Sequence, residues 1–360
     1  MNLWSCKTSE SIKLPRLGLL LILLFQAGQS PAQSTGSLSG RVTDSKTKEP
    51  IPYATAFLAN TMIGTEALVD GTFSLRNIPV GKYDLTVSST GYKLATLPVS
   101  IPDGEKTLSV QLHQDVKILK EVVIKRKRLD YAKLKAMFTQ YFLGETDNAG
   151  KCTIANMDDI DLDYDEETKV LTATAAKPIE IENDALGFKV FYFLNEFKLD
   201  LIKQVDLFVG VPRFEALVPS TKAQARRWVG ERARAYYGSL THFMRSLKFN
   251  CLKEDDFYIY LEQKNKWIPI NESFFLSSGP DSLVRLKIVY QGETQEYNYS
   301  RQNVYSYQTS YLKFRKNDLL IHDNGYYENP LKFYLEGYLA WSEKIAELLP
   351  LEYQPPSKHQ

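Results

Sequence analysis

From Gly36 to Leu112 the chain alternates short apolar runs with polar turns about every 8–12 residues. The runs are Leu38–Val42, Ala54–Leu58, Phe73–Leu75, Tyr83–Ser88, Leu97–Ile101 and Leu108–Leu112. Tyr83, Leu85 and Val87 share one face of an extended strand, because side chains alternate across a strand with period two. Asp44 to Pro50, the Asp70-Gly71 pair, Ile78-Pro-Val-Gly81 and Gly91-Tyr92 carry the turn chemistry between them. The pattern predicts an all-β sandwich.

After Tyr131 the period changes. Leu134, Met137, Phe138 and Tyr141 recur at helical spacing, and Gly144 closes that helix. Ile160, Leu162 and Tyr164 then alternate with Asp159, Asp161, Asp163 and Asp165, and Val170–Ala175 follows an acidic turn. That alternation predicts a hairpin with one wet face. Val190–Leu194 is apolar on both faces and reads as a central strand. The longest helical pattern runs from Thr221 to Lys248, with Trp228, Arg232, Tyr236, Leu240, Phe243 and Leu247 on its stripe and Arg226, Arg227, Arg234 and Arg245 off it. Ser220 or Thr221 caps its start. Strands are expected at 257–261, 283–290, 295–299, 305–311 and 319–322, and a closing amphipathic helix from Phe333 to Leu349, stopped by Pro350. The expectation for 131–360 is an α+β domain with a mainly antiparallel sheet and two long helices.

Composition changes the picture little. The 360 residues include 44 Lys+Arg and 43 Asp+Glu, with net charge +1, so nothing points to nucleic acid. Aromatics are 12% of the chain, which suits a strand-rich core. The N-terminus is more informative. Leu17–Phe25 is a short apolar run preceded by Lys13 and Arg16 and followed by Ser30-Pro31-Ala32. A basic flank, a short apolar core and a small-x-small exit describe a secretory signal peptide over 1–32, since a membrane span needs about 20 apolar residues. Export to the periplasm or outer membrane is the expectation. Cys6 leaves with the leader. Cys152 and Cys251 remain, either as a bridge or as buried thiols.

The order of motifs in the sandwich carries a resemblance. Gly40-Arg41-Val42-x-Asp44, Pro50-x-Pro52-x-Ala54, Asp70-Gly71-x-Phe73, Pro79-x-Gly81-x-Tyr83 and Gly91-Tyr92 stand in sequence directly after the leader. Residues 33–113 resemble the carboxypeptidase regulatory-like domain, which implies a transthyretin-like fold of seven strands and a non-catalytic accessory or adhesive module. Residues 114–130 form a linker. Its Leu119-x-Glu121-Val-Val-Ile124 stretch is similar to the segment joining such a sandwich to the plug of TonB-dependent receptors. The basic run Lys125–Arg128 follows. The region 131–360 resembles the uncharacterised C-terminal part of other exported proteins of this kind, which adds no catalytic residue.

Candidate chemistry is sparse. An EF-hand counted from Asp159 puts Tyr164 where Gly is needed, and one from Asp161 puts Glu166 there. No His is followed by Glu three residues later, so the metallocarboxypeptidase zinc pair is missing. His242 lies three residues after Ser239, but no G-x-S-x-G turn carries that serine, and the pair reads as helical surface. No catalytic residue, metal ligand or cofactor is assigned. Arg232, a charge on an apolar stripe, needs a carboxylate or several carbonyls, and it is the candidate contact to an anion or partner. The expected function is a non-enzymatic envelope protein, with a sandwich module carrying a binding domain for an envelope protein or glycan. Two alternatives are a hydrolase whose site is assembled from distant residues of 131–360, and an accessory subunit docking on a TonB-dependent receptor.

Overall fold

The computed structural model describes residues 34–115, 131–276, 281–300 and 306–356. The expected leader at 1–32, the linker stretch Leu119 to Ile124 and the basic run at 125–128 lie outside these residues. Within 34–115 the strands are β1 (Thr35–Asp44), β2 (Thr55–Leu58), β3 (Gly64–Glu66), β4 (Thr72–Pro79), β5 (Gly81–Ser88), β6 (Ala95–Ile101) and β7 (Glu105–Leu112). They form two facing sheets in the orders β4-β1-β7 and β3-β2-β5-β6. β1 and β7 run parallel, and the other pairs are antiparallel. Leu38, Val42, Leu58, Ile78, Leu85 and Val87 meet in a solvent-free core between the sheets. Asp70-Gly71 turns as the sequence suggests. Gly71 has φ +78, and a Cβ there would lie 2.5 Å from the Val42 carbonyl oxygen.

The second region holds two further sheets rather than one. Helix α1 (Tyr131–Leu143) precedes β8 (Cys152–Ile154), β9 (Ile160–Asp165), β10 (Val170–Ala175), β11 (Ile179–Asn183), β12 (Phe188–Asp200) and β13 (Val205–Ala216). These form a sheet in the order β8-β11-β12-β10-β9, with β13 along the other side of β12. β12 is long enough to pair β11 through its first half and β10 through its second. Leu134, Phe138 and Phe142 of α1 fill the core over this sheet. The acidic stretch is a hairpin: β9 pairs β10, and Asp165 Oδ1 accepts the Glu167 and Thr168 N–H groups at 2.9 and 3.1 Å.

Helices α2 (Lys222–Tyr236) and α3 (Leu240–Lys248) follow. A five-stranded antiparallel sheet then runs β15-β14-β16-β17-β18, from β14 (Phe257–Gln263), β15 (Lys266–Ile270), β16 (Leu283–Thr294), β17 (Tyr307–Arg315) and β18 (Tyr334–Gly337). α3 packs on it through Leu240, Phe243, Met244 and Leu247.

Four sequence expectations are corrected here, the first being the strand at 319–322, which is only an isolated bridge between Ile321 and Tyr327. The single helix over 221–248 is two, because Gly238 takes φ +84 and Ser239 starts a new helix by accepting the His242 N–H. The closing helix over 333–349 is instead β18, a short helix Tyr338–Ser342 and a 3-10 turn Ile345–Glu347. Its helical periodicity loses to pairing with β17, and Gly337 at φ +80 ends the strand. The strand expected at 295–299 is a helical turn, Tyr297–Ser300. Among the described residues no helix is long and apolar enough to cross a membrane.

Candidate functional site

The sandwich is fastened to the second region, and the seam begins in β2. Its Ala56 and Leu58 side chains enter the sandwich core. By strand alternation Phe57 points the other way, and it is fully buried because its ring stacks on Phe193 of β12, centroids 4.7 Å apart. The loop after β2 joins the edge of β13. Thr61 bridges Arg213 in parallel, the Asn60 N–H donates to the Pro212 carbonyl at 2.8 Å, and the Phe214 N–H donates to the Thr61 carbonyl at 2.9 Å. On the other flank Lys82 Nζ and His322 Nε2 each meet Glu328 Oε1, at 3.0 and 2.9 Å. Those two partners hold the Glu328 carboxyl below its ordinary value, Lys82 first. The Tyr326 hydroxyl donates to Asp84 at 3.0 Å, and burial raises the Asp84 carboxyl against that bond.

Beside this seam lies a groove of about 990 Å³. Its walls are Lys82 and Asp84 of β5, Val99 and Ser100 of β6, Phe208 to Val211 of β13, and the 326–332 loop. Both lobes build it, the setting in which ligand sites concentrate. Its surface mixes aromatic, amide and charged groups and holds no nucleophile paired to a base.

A second cavity, of about 430 Å³, sits between the α2–α3 junction and the end of β16. Glu293, Glu296, Glu343 and Glu347 line it, with Arg234 as a cation. Burial raises three of these carboxyls. Glu343 and Glu347 go up to about 7, and Glu296 rises as well. Two of them hold the fold: Glu343 accepts the Leu240 N–H at the start of α3 at 2.7 Å, and Glu347 accepts from Thr146 and from Asn148 at 3.0 Å. Among the described residues no group of three or more His, Cys, Asp or Glu is arranged to hold a metal ion.

Arg232, the residue singled out by sequence, is half-buried. Its Nε donates to the Leu186 carbonyl at 2.6 Å and Nη2 to the Gly187 carbonyl at 3.1 Å, with the guanidinium 4.1 Å above the Phe188 ring. Those bonds tie α2 to the turn before β12. The arginine that sequence placed off the stripe is the more buried one. Arg245 is 2% exposed and donates to the Asn324, Leu351 and Tyr353 carbonyls. The break at Gly238 explains this, since α3 has its own phase and turns Arg245 inward. His242 is buried too, not on the surface. Its Nδ1 accepts the Gly238 N–H at 3.1 Å, and its ring packs among Tyr236, Tyr237, Phe257 and Tyr290. Ser239 Oγ meets the His242 main chain, not the ring, so the pair makes no nucleophile. Cys152 is a free thiol pushed up to about 12 by burial, so it forms no bridge to Cys251.

Residues 38–124 match the CarboxypepD_reg-like domain family. The N-terminal sandwich is a carboxypeptidase regulatory-like domain. The match stops at residue 124, before α1. No curated protein matches the chain. Solved structures share parts of it at low similarity. A type II cohesin–X-dockerin complex from Acetivibrio cellulolyticus is 21% identical over 21% of this chain and 52% of its own, with a TM-score of 0.19. Catechol 1,2-dioxygenase from Acinetobacter sp. ADP1 is 14% identical over 28% and 60%, at 0.22. BcpA, the major pilin subunit of Bacillus cereus, is 20% identical over 23% and 31%, at 0.20. The chain thus spans less than two thirds of each of these structures, and none of them carries an argument about its function. The regulatory-like domain is one wall of the groove, and the unmatched second region is the other.

Proposed function

We propose that the chain is a non-enzymatic protein of the cell envelope, exported through its N-terminal leader, in which the regulatory-like domain is a fixed module completing a binding groove. The observation that carries this reading is the seam. Phe57 stacks on Phe193 and the Asn60–Thr61 loop pairs with β13, so the larger cavity has one wall from each lobe. Partners of an envelope protein, a glycan or a TonB-dependent receptor are compatible with such a groove. The test is photo-crosslinking in a gram-negative host that exports the full chain. A photoreactive residue at Leu331, exposed on the groove rim, should capture one discrete envelope component. The same residue at Leu68, equally exposed on the sandwich alone, should not. Capture from position 68 only, or a chain retained in the cytoplasm, contradicts the proposal.

One observation favours a second reading, a hydrolase. Raised carboxyls that share a cavity are a signature of acid–base sites, and Glu343 and Glu347 share one. Their hydrogen bonds to the start of α3 and to the 146–148 turn weigh toward a structural duty. Loss of a measured hydrolytic activity on Glu343→Gln and Glu347→Gln, with the fold retained, would decide for the enzyme.

A further inference from the structure

The edge of β13 differs from the other sheet edges in the molecule. Natural sheets guard their edges with charges, prolines or brevity. β6 carries Pro98, β4 carries Arg76 and ends in Pro79, and β7 opens with Glu105 and Lys106. β9 presents alternating aspartates, and β15 holds Lys266 and Pro269. β3 and β8 are three residues each, and β18 is four. The stretch Val205 to Val211 has one charge, Asp206, and Lys344 holds its carboxylate. Val205 and Leu207 are left 50% and 43% exposed.

This edge already accepts main-chain hydrogen bonds from outside its own sheet. At its far end the Pro212 carbonyl and Phe214 N–H bond to the Asn60–Thr61 loop of the sandwich. Outward main-chain groups recur every second residue, so Gly210, Phe208 and Asp206 continue the same row. Among the described residues nothing pairs with them; β13 meets β12 alone on its other side. Phe208 to Val211 also line the groove.

We propose that this edge captures an extended polypeptide segment of a partner protein, which adds to β13 as a further strand and continues the ladder that Asn60 and Thr61 begin. The main-chain row supplies binding, and alternating apolar side chains on Val205, Leu207, Val209 and Val211 select apolar residues at every second position of the partner. The inference rests on the groove being the binding site, and it names the class of partner.

The probe is a phage-displayed library of ten-residue peptides with alternating apolar positions, selected on the immobilised full chain. Enriched peptides should lose about tenfold or more in affinity when alternate amides are N-methylated, since that removes ladder donors and keeps side chains. They should lose as much against Leu207→Lys, which guards the edge, and nothing against Leu68→Lys, an exposed sandwich position that does not line the groove. A library that yields no binder, or binders indifferent to N-methylation and to Leu207→Lys, overturns strand addition. If crosslinking from Leu331 succeeds while no peptide binds, the groove stands and strand addition falls. If the chain alone is a dimer that Leu207→Lys dissolves, the occupant is a second copy, and the partner proposal is wrong.

Discussion

Arg245 Nη2 donates to the Leu351 carbonyl at 2.6 Å, and the Leu351 N–H donates to the Asn60 carbonyl at 2.6 Å. One residue of the C-terminal strap therefore links the buried arginine of α3 to the sandwich loop that pairs with β13. The same guanidinium reaches Asn324, whose side-chain amide donates to the Lys82 carbonyl at 2.8 Å. Both flanks of the seam hang from Arg245 through these two carbonyls.

Arg245→Met should destabilise the full chain by roughly 2–4 kcal/mol, because it removes three main-chain hydrogen bonds made by a guanidinium side chain that is 2% exposed. Arg232→Met should cost less, about 1–2 kcal/mol, since it removes two main-chain hydrogen bonds rather than three and the Arg232 side chain is itself only half-buried. Chemical denaturation of both variants checks the order. A larger loss at Arg232 would show that the strap is not anchored through Arg245.

Gly238→Ala should be strongly destabilising, by about 2–4 kcal/mol. The residue sits at φ +84, and a Cβ would lie 2.6 Å from Gln308 Oε1 and 2.8 Å from the Tyr290 ring. Gly230→Ala, inside α2 with open space around it, should instead stabilise by a few tenths to about 1 kcal/mol. Paired melting curves separate the two.

The Glu343 carboxyl rises from 4.5 to about 7 in the folded state because of burial. The folded chain then binds more protons than the unfolded chain between these values, so this group's contribution to stability falls as pH rises from about 4.5 through 7. Glu343→Gln mimics the protonated form and keeps an acceptor for the Leu240 N–H. It should be close to wild type near pH 4.5 and more stable by about 1–2 kcal/mol at pH 8, a figure reduced from the full shift because the residue keeps some solvent contact. Stability against pH for the two proteins is the measurement, and parallel curves would refute the assignment.

The Lys82–Glu328 contact should matter little. Both side chains keep solvent access, so a double-mutant cycle should return less than about 1 kcal/mol, falling with salt. A coupling of several kcal/mol would mean that charge, not Phe57 packing and the β13 ladder, closes the seam.

Much of the fold was legible because it is local. Six of the seven sandwich strands, the Asp165 turn and the both-faces-apolar β12 follow from period two and from turn residues, while β3, three residues of Gly-Thr-Glu, has no apolar run to mark it. What was missed depends on distant contacts. The pattern at 333–349 has helical spacing, but β17 offers Tyr334–Gly337 an edge to pair with. Arg245 falls off the apolar stripe only when one helix phase is extended through Gly238, although glycine in a helical run is itself a break signal. The groove left no motif, because its walls come from β5, β6, β13 and a loop beyond residue 320. Glu343 and Glu347 were visible only as a spacing of four before Pro350.

Calorimetry of the full chain tests most directly whether the regulatory-like domain and the second region form one body. The Phe57–Phe193 stack, the Thr61–Arg213 bridge and the Arg245 clasp should make them unfold together. A single transition is expected, with calorimetric and van't Hoff enthalpies equal, and Phe57→Ala should lower its midpoint or split it. Two transitions in the wild-type chain, one matching the isolated sandwich, would contradict a fixed seam and with it the groove.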